Sequence, residues 1–217
     1  MGAKTWMLVY SNGDAAENLK KDPVLNQAAT AELLQKLFPN ENLESIEGGD
    51  LSYTNPPDEI IFAGCFGEVS VIAAVEFAGD YPSRVDPRFI DPSLGENIYL
   101  HAMHSVVDWF AFATWKEGQL TRALSLSPDS GILEDIGEKL PFELEYWKGK
   151  HPALDPEEED EFDYPFSFHP LELGEAALQE FFGYQLEGFI DDSLIEPETI
   201  PLMGFKRSVF KPWWKVW

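Results

Sequence analysis

The stretch YLHAMHSVVDWFAFATWKEGQLTRALSLS, Tyr99 to Ser127, decides the fold. Two runs of strand-forming character flank Lys116-Glu117-Gly118-Gln119, a short loop containing glycine, and this pattern predicts a β-hairpin whose first strand runs on to Trp115. Upstream, Glu59–Phe66 and Val69–Val75 are rich in β-branched and aromatic residues and are separated by Gly67-Glu68, a second hairpin. Trp6 to Tyr10 reads as a buried strand closed by the turn Ser11-Asn12-Gly13-Asp14. Helical signals sit toward the two ends. Asp14 and Glu17 have capping-box spacing, and Asp22 before Pro23 predicts the N-cap of a helix carrying Leu25, Ala29, Leu33 and Leu37 up to Pro39. Leu173, Ala177, Phe181 and Tyr184 mark another amphipathic helix that ends near Gly188. Hairpins with helices near both ends predict an α+β domain, its largely antiparallel sheet covered by those helices.

With 217 residues, 44% of them hydrophobic and 14% aromatic, the chain has enough apolar material for one substantial core. We expect a single domain over residues 1–204, with an acidic loop at about 155–163 where seven of nine residues are Asp or Glu, followed by a basic, Trp-rich tail over 205–217. The formal charge is −24, from 39 acidic and 15 basic residues. Such a field repels nucleic acid, whose binding depends on cations neutralising phosphates, and it repels anionic membrane surfaces. It favours solubility and attraction of a basic partner. The lone Cys65 excludes an internal disulfide and fits a reducing compartment. Only a short apolar stretch lies between Lys4 and Asn12, too short for a secretory core, and no run is long enough to span a membrane, so the expected location is the cytoplasm.

Chemistry-bearing residues are sparse. His101 and His104 would share one face of a helix and so suit a shared metal, but on a strand residues three apart point to opposite faces. His104 and Asp108 share a face of a continuous strand yet stand roughly 13 Å apart at about 3.3 Å per residue, too far for a dyad. Ser127, Pro128 and Asp129 in SLSPDSG read as a helix N-cap and first turn, or as a small polar site. Arg84 and Arg88, set among Asp80, Asp86 and Asp91, either bind an anion or pin a long loop, and Asp14 in its turn has the same ambiguity. No metal site and no cofactor motif is expected. In the tail, Lys206, Arg207, Lys211 and Lys215 meet no acid, leaving −28 on residues 1–204, while Trp213, Trp214 and Trp217 supply indoles for docking on the protein's own surface or on a partner.

Taken together, MGAKTWMLVY, YLHAMHSVVDWFAF, LSLSPDSGILEDIGEKLPFE and the KPWWKVW terminus resemble a bacterial protein family of unknown function along nearly the whole chain. The resemblance implies a bacterial cytoplasmic setting and transfers no catalytic residue. The leading expectation is therefore a non-enzymatic interaction protein that binds a basic protein partner, in the manner of a toxin-neutralising immunity protein. Two alternatives stand beside it. One is a small-molecule hydrolase or transferase assembled from His101 or His104, Asp108 and loop groups such as Ser127, Asp129 or Arg84. The other is a binding module for a cationic or aromatic small ligand. Nothing in the sequence addresses oligomeric state.

Overall fold

A computed structural model describes residues 2–21, 23–153, 164–188 and 193–209. In chain order the elements are β1 (Lys4–Ser11), α1 (Ala15–Leu19), α2 (Gln27–Leu37), β2 (Glu41–Asp50), β3 (Ile60–Cys65), β4 (Val69–Ala73), β5 (Asn97–His104), β6 (Trp109–Lys116), β7 (Gln119–Ser127), β8 (Gly131–Ile136), α3 (Leu144–Trp147), α4 (Pro170–Phe182) and β9 (Pro201–Val209). The strands form one nine-stranded sheet in the order β2-β9-β3-β4-β1-β5-β6-β7-β8. Every neighbouring pair is antiparallel, so the domain is α+β, as the hairpin pattern predicts.

Alternation along the strands divides the core in two. Met7, Val9, Met103, Phe110, Phe112, Leu124 and Leu126 face α1 and α4, meeting Leu173, Ala177, Phe181 and Phe182. Leu8, Tyr10, Ile98, Leu100, Ala111 and Ala113 face the other way, onto Leu33, Leu34 and Leu37 of α2 and onto Phe77 and Phe89 of the proline-rich loop that joins β4 to β5, residues 74–96. Burial on both faces explains why the central strands read as near-continuous apolar runs.

Several boundaries differ from the sequence reading, each for a local reason. The run from Tyr99 to Trp115 is two strands, because Ser105–Asp108 turns sharply: the Val107 N–H donates to the His104 carbonyl at 3.2 Å and Asp108 adopts a left-handed φ of 46°. The turn lacks Gly and Pro, the usual punctuation. Helix α2 starts at Gln27 on an Asn26 cap, whose side chain accepts from Ala29 N, while Asp22 lies outside the described residues. SLSPDSG opens no helix. It is the β7–β8 turn, closed by Ser130 N–H donating to Ser127 Oγ at 3.2 Å and by Gly131 at φ 67°. Helix α4 ends at Gly183, left-handed at φ 77°, before the expected Gly188. The boundary expected at residues 204/205 falls inside β9, which inserts between β2 and β3 and buries Phe205. Lys206 and Arg207 therefore belong to the sheet, and Arg207 pairs with Glu76 and Glu41. The acidic loop at 155–163 and residues 210–217 lie outside the described residues.

Candidate functional site

The histidines of β5 separate as strand alternation requires. His101 is fully buried on the α4 side, against Phe110 and Phe182. Its Nε2 lies 3.0 Å from the Gly174 carbonyl, which can only accept, so Nε2 carries the proton and Nδ1 accepts from the Thr5 hydroxyl at 2.7 Å. Both ring nitrogens are thus engaged, and burial lowers the pKa to about 4. His104 points to the opposite face, stacks on Trp6 and accepts the Val106 N–H at Nδ1. Its pKa is lowered, first by burial and then by Lys4.

Asp108 joins neither of them. Its carboxylate lies 3.6 Å from Nε2 of His169, the N-cap of α4, whose Nδ1 accepts the Leu171 N–H. The single-strand estimate of the His104–Asp108 separation fails because the chain reverses between them. Ser127 and Asp129 sit in the β7–β8 turn, at the end of the sheet where β5 stops but two strands away from His104, and neither forms a hydrogen bond with a β5 histidine. Arg84 lies over the Tyr81 ring at 4.1 Å within the same loop, whereas Arg88 lies over Phe89 and over Phe38 at the end of α2 and pairs with Glu76 and Asp86, so Arg88 ties the proline-rich loop down. Asp14 caps α1 by accepting from Glu17 N, and Cys65 is buried. Trp213, Trp214 and Trp217 lie outside the described residues.

A different set of residues converges on a cleft of about 780 Å³ at the end of the sheet where β1 starts and β5 stops. Lys4 enters from β1 and Val106 from the β5–β6 turn. Tyr53 follows the Asp50–Ser52 turn, in which Asp50 accepts from Ser52 N, and its ring meets the edge of Phe62. Leu186 and Glu187 come from the segment after α4, and Glu196, Pro197 and Glu198 from the turn before β9. Leu51 N donates to the Pro197 carbonyl at 3.2 Å, joining the Tyr53 loop to that turn. The wall at Leu186 is fastened from behind: its N–H donates at 2.7 Å to Glu175 on α4, a carboxyl only 8% exposed whose other oxygen is buried without a hydrogen-bond partner among the described residues. Burial pushes the Glu175 pKa up to about 7.

The lining is acidic and apolar. Glu187, Glu196 and Glu198 are exposed and form no ion pair with any described residue, whereas Lys4 is the one basic side chain in the wall. Val106 at 75% and Tyr53 at 48% stand among the most exposed large hydrophobic residues of the described chain. Apolar groups rimmed by three carboxylates against one lysine fit recognition of a basic surface. Among the described residues, no group of three or more His, Cys, Asp or Glu is placed to hold a metal ion, and no described helix is long and apolar enough to cross a membrane. Sequence reasoning missed every charged member of this cleft. They come from separate segments with no shared spacing, and the only advance sign was the density of acids around residues 187–198.

A family model described as a family of unknown function (DUF6928) matches residues 5–205. Neither the search of curated proteins nor the search of solved structures finds a match.

Proposed function

For this chain, which belongs to the DUF6928 family of unknown function, we propose a role in binding rather than catalysis, in which the cleft beside the β5–β6 turn receives a basic segment of a protein partner. The carrying observation is that Glu187, Glu196 and Glu198, unpaired among the described residues, line one cleft with the exposed Tyr53 and Val106. A lysine or arginine of the partner would place its charge among the carboxylates while its methylenes lie on Val106, Leu186 and the Tyr53 ring. Weighing against a hydrolase or transferase is the engagement of both His101 nitrogens and the placement of Asp108 in the β5–β6 turn beside His169, with Ser127 and Asp129 in the β7–β8 turn.

Charge reversal tests the reading. Glu196 and Glu198 are exposed, so the double variant E196K/E198K should fold with stability within about 0.5 kcal/mol of the parent. Its affinity for a dye-labelled amidated peptide alternating lysine and leucine should drop by about tenfold or more in fluorescence anisotropy at low salt. The parent's affinity should itself weaken as salt rises to about 0.5 M, where the Debye length shrinks to a few ångströms. Equal binding by parent and variant would remove the cleft from the account.

A further inference from the structure

A second cavity, of about 300 Å³, shares no lining residue with the cleft and lies where the start of β5 meets the C-terminal half of α4. Its wall contains three contiguous rings: Tyr99 is 5.1 Å from Phe181, and Phe181 is 5.5 Å from Phe142 with the planes nearly perpendicular. Two carboxylates, Asp14 and Glu180, stand in the same lining, exposed and without an ion-pair partner among the described residues. One oxygen of Asp14 is committed to the α1 cap, leaving the other for a ligand. Lys116, the one basic side chain of the wall, is paired with Glu96 at 3.4 Å, a residue outside the lining.

We infer that this cavity is a binding site for a small alkylated ammonium ion, held by the Tyr99, Phe142 and Phe181 rings and by the charges of Asp14 and Glu180. Aromatic rings attract a cation through the negative potential of their faces, and an alkylated ammonium gives up its weak hydration more readily than a primary one. The exposed carboxylates at the mouth of the cavity add long-range attraction that draws a cation in and is screened by salt. A cavity of this size accommodates a trimethylammonium head with a short tail, at the lower end of the usual range for ligand pockets. The site is independent of the cleft proposed for a protein partner.

The probes are choline, its neutral isostere 3,3-dimethylbutan-1-ol and n-butylammonium, titrated into the full chain while the backbone amide resonance of Trp115, a residue of the pocket wall, is followed by NMR. Choline is expected to bind about tenfold more tightly than the neutral isostere and more tightly than butylammonium. D14N/E180Q keeps a residue able to cap α1 and should weaken choline binding by about tenfold, Phe142→Leu should do the same, and E196K/E198K should leave it unchanged. Equal affinity for choline and its isostere, tighter binding of butylammonium, or no saturable response of Trp115 would each overturn the inference.

Discussion

Replacing Glu143 with alanine is expected to lower the free energy of unfolding by about 3–5 kcal/mol, because it strands a buried guanidinium. Arg122 and Glu143 are both fully buried. Arg122 Nε donates to Glu143 Oε1 at 2.9 Å and Nη2 donates to Oε2 at 2.7 Å, a bidentate pair. The same carboxylate accepts from Leu140 N and Trp147 Nε1, while Arg122 Nη1 donates to Asp135 and to the Ala123 and Ile136 carbonyls. The network joins β7 and β8 to the segment ending in α3. Removing one partner leaves several polar atoms unsatisfied as well as a charge in a low-dielectric site. Replacing both, as in R122M/E143L, should cost far less than the single change, because a buried pair contributes little net stability over a well-packed apolar substitute. Urea unfolding of R122M, E143L and R122M/E143L, read as a double-mutant cycle, checks this: additive losses would contradict it.

Glu175→Gln should raise stability at pH 8 by about 3 kcal/mol relative to the parent. In the fold burial lifts the Glu175 pKa from the ordinary 4.5 to about 7. Between those values the folded chain holds a proton that the unfolded chain releases, so the contribution of this group is full below pH 4.5 and is lost as pH rises through 7. Glutamine keeps an acceptor for Leu186 N and cannot ionise. His101 works in the opposite direction. Its pKa falls from 6.5 to about 4, so its contribution is full above pH 6.5 and is lost as pH falls through 4. These neighbours on α4, Glu175 directly and His101 through the Gly174 carbonyl, have opposing slopes between pH 4.5 and 6.5. Removing the Glu175 ionisation should leave the His101 limb visible, as stability that climbs with pH across that interval. Identical pH profiles for the parent and the glutamine variant would show that the Glu175 carboxyl is not held in its protonated form.

The antiparallel sheet and its main helices were legible because they rest on local periodicity. Gly67 and Gly118, both left-handed, marked two real hairpins, and the β5 histidines diverge as alternation demands. What could not be read depends on contacts distant in sequence or on turns without the usual residues. Ser105–Asp108 looks like strand continuation, since its two valines are strand formers and its reversal rests on bonds back to His104. The insertion of β9 between β2 and β3 is a pairing across most of the chain, and the basic residues toward its end looked like the start of a free tail. Arg122 did leave a sign: within LTRALSLS it occupies the same alternating face as Leu124 and Leu126, and a charge at a core position demands a partner. His169 before Pro170 likewise occupies a cap position, but its proximity to Asp108 arises only in the folded chain.

The most direct test of the binding account is residue-resolved NMR of the isotope-labelled chain titrated with the lysine–leucine peptide at low salt. The account predicts that saturable shifts concentrate on the amides of Lys4, Tyr53, Val106, Leu186, Glu187, Glu196 and Glu198 and disappear in E196K/E198K. Shifts centred on another acidic surface such as Glu44 and Glu47 of β2, or spread without a focus over the whole surface, would contradict it.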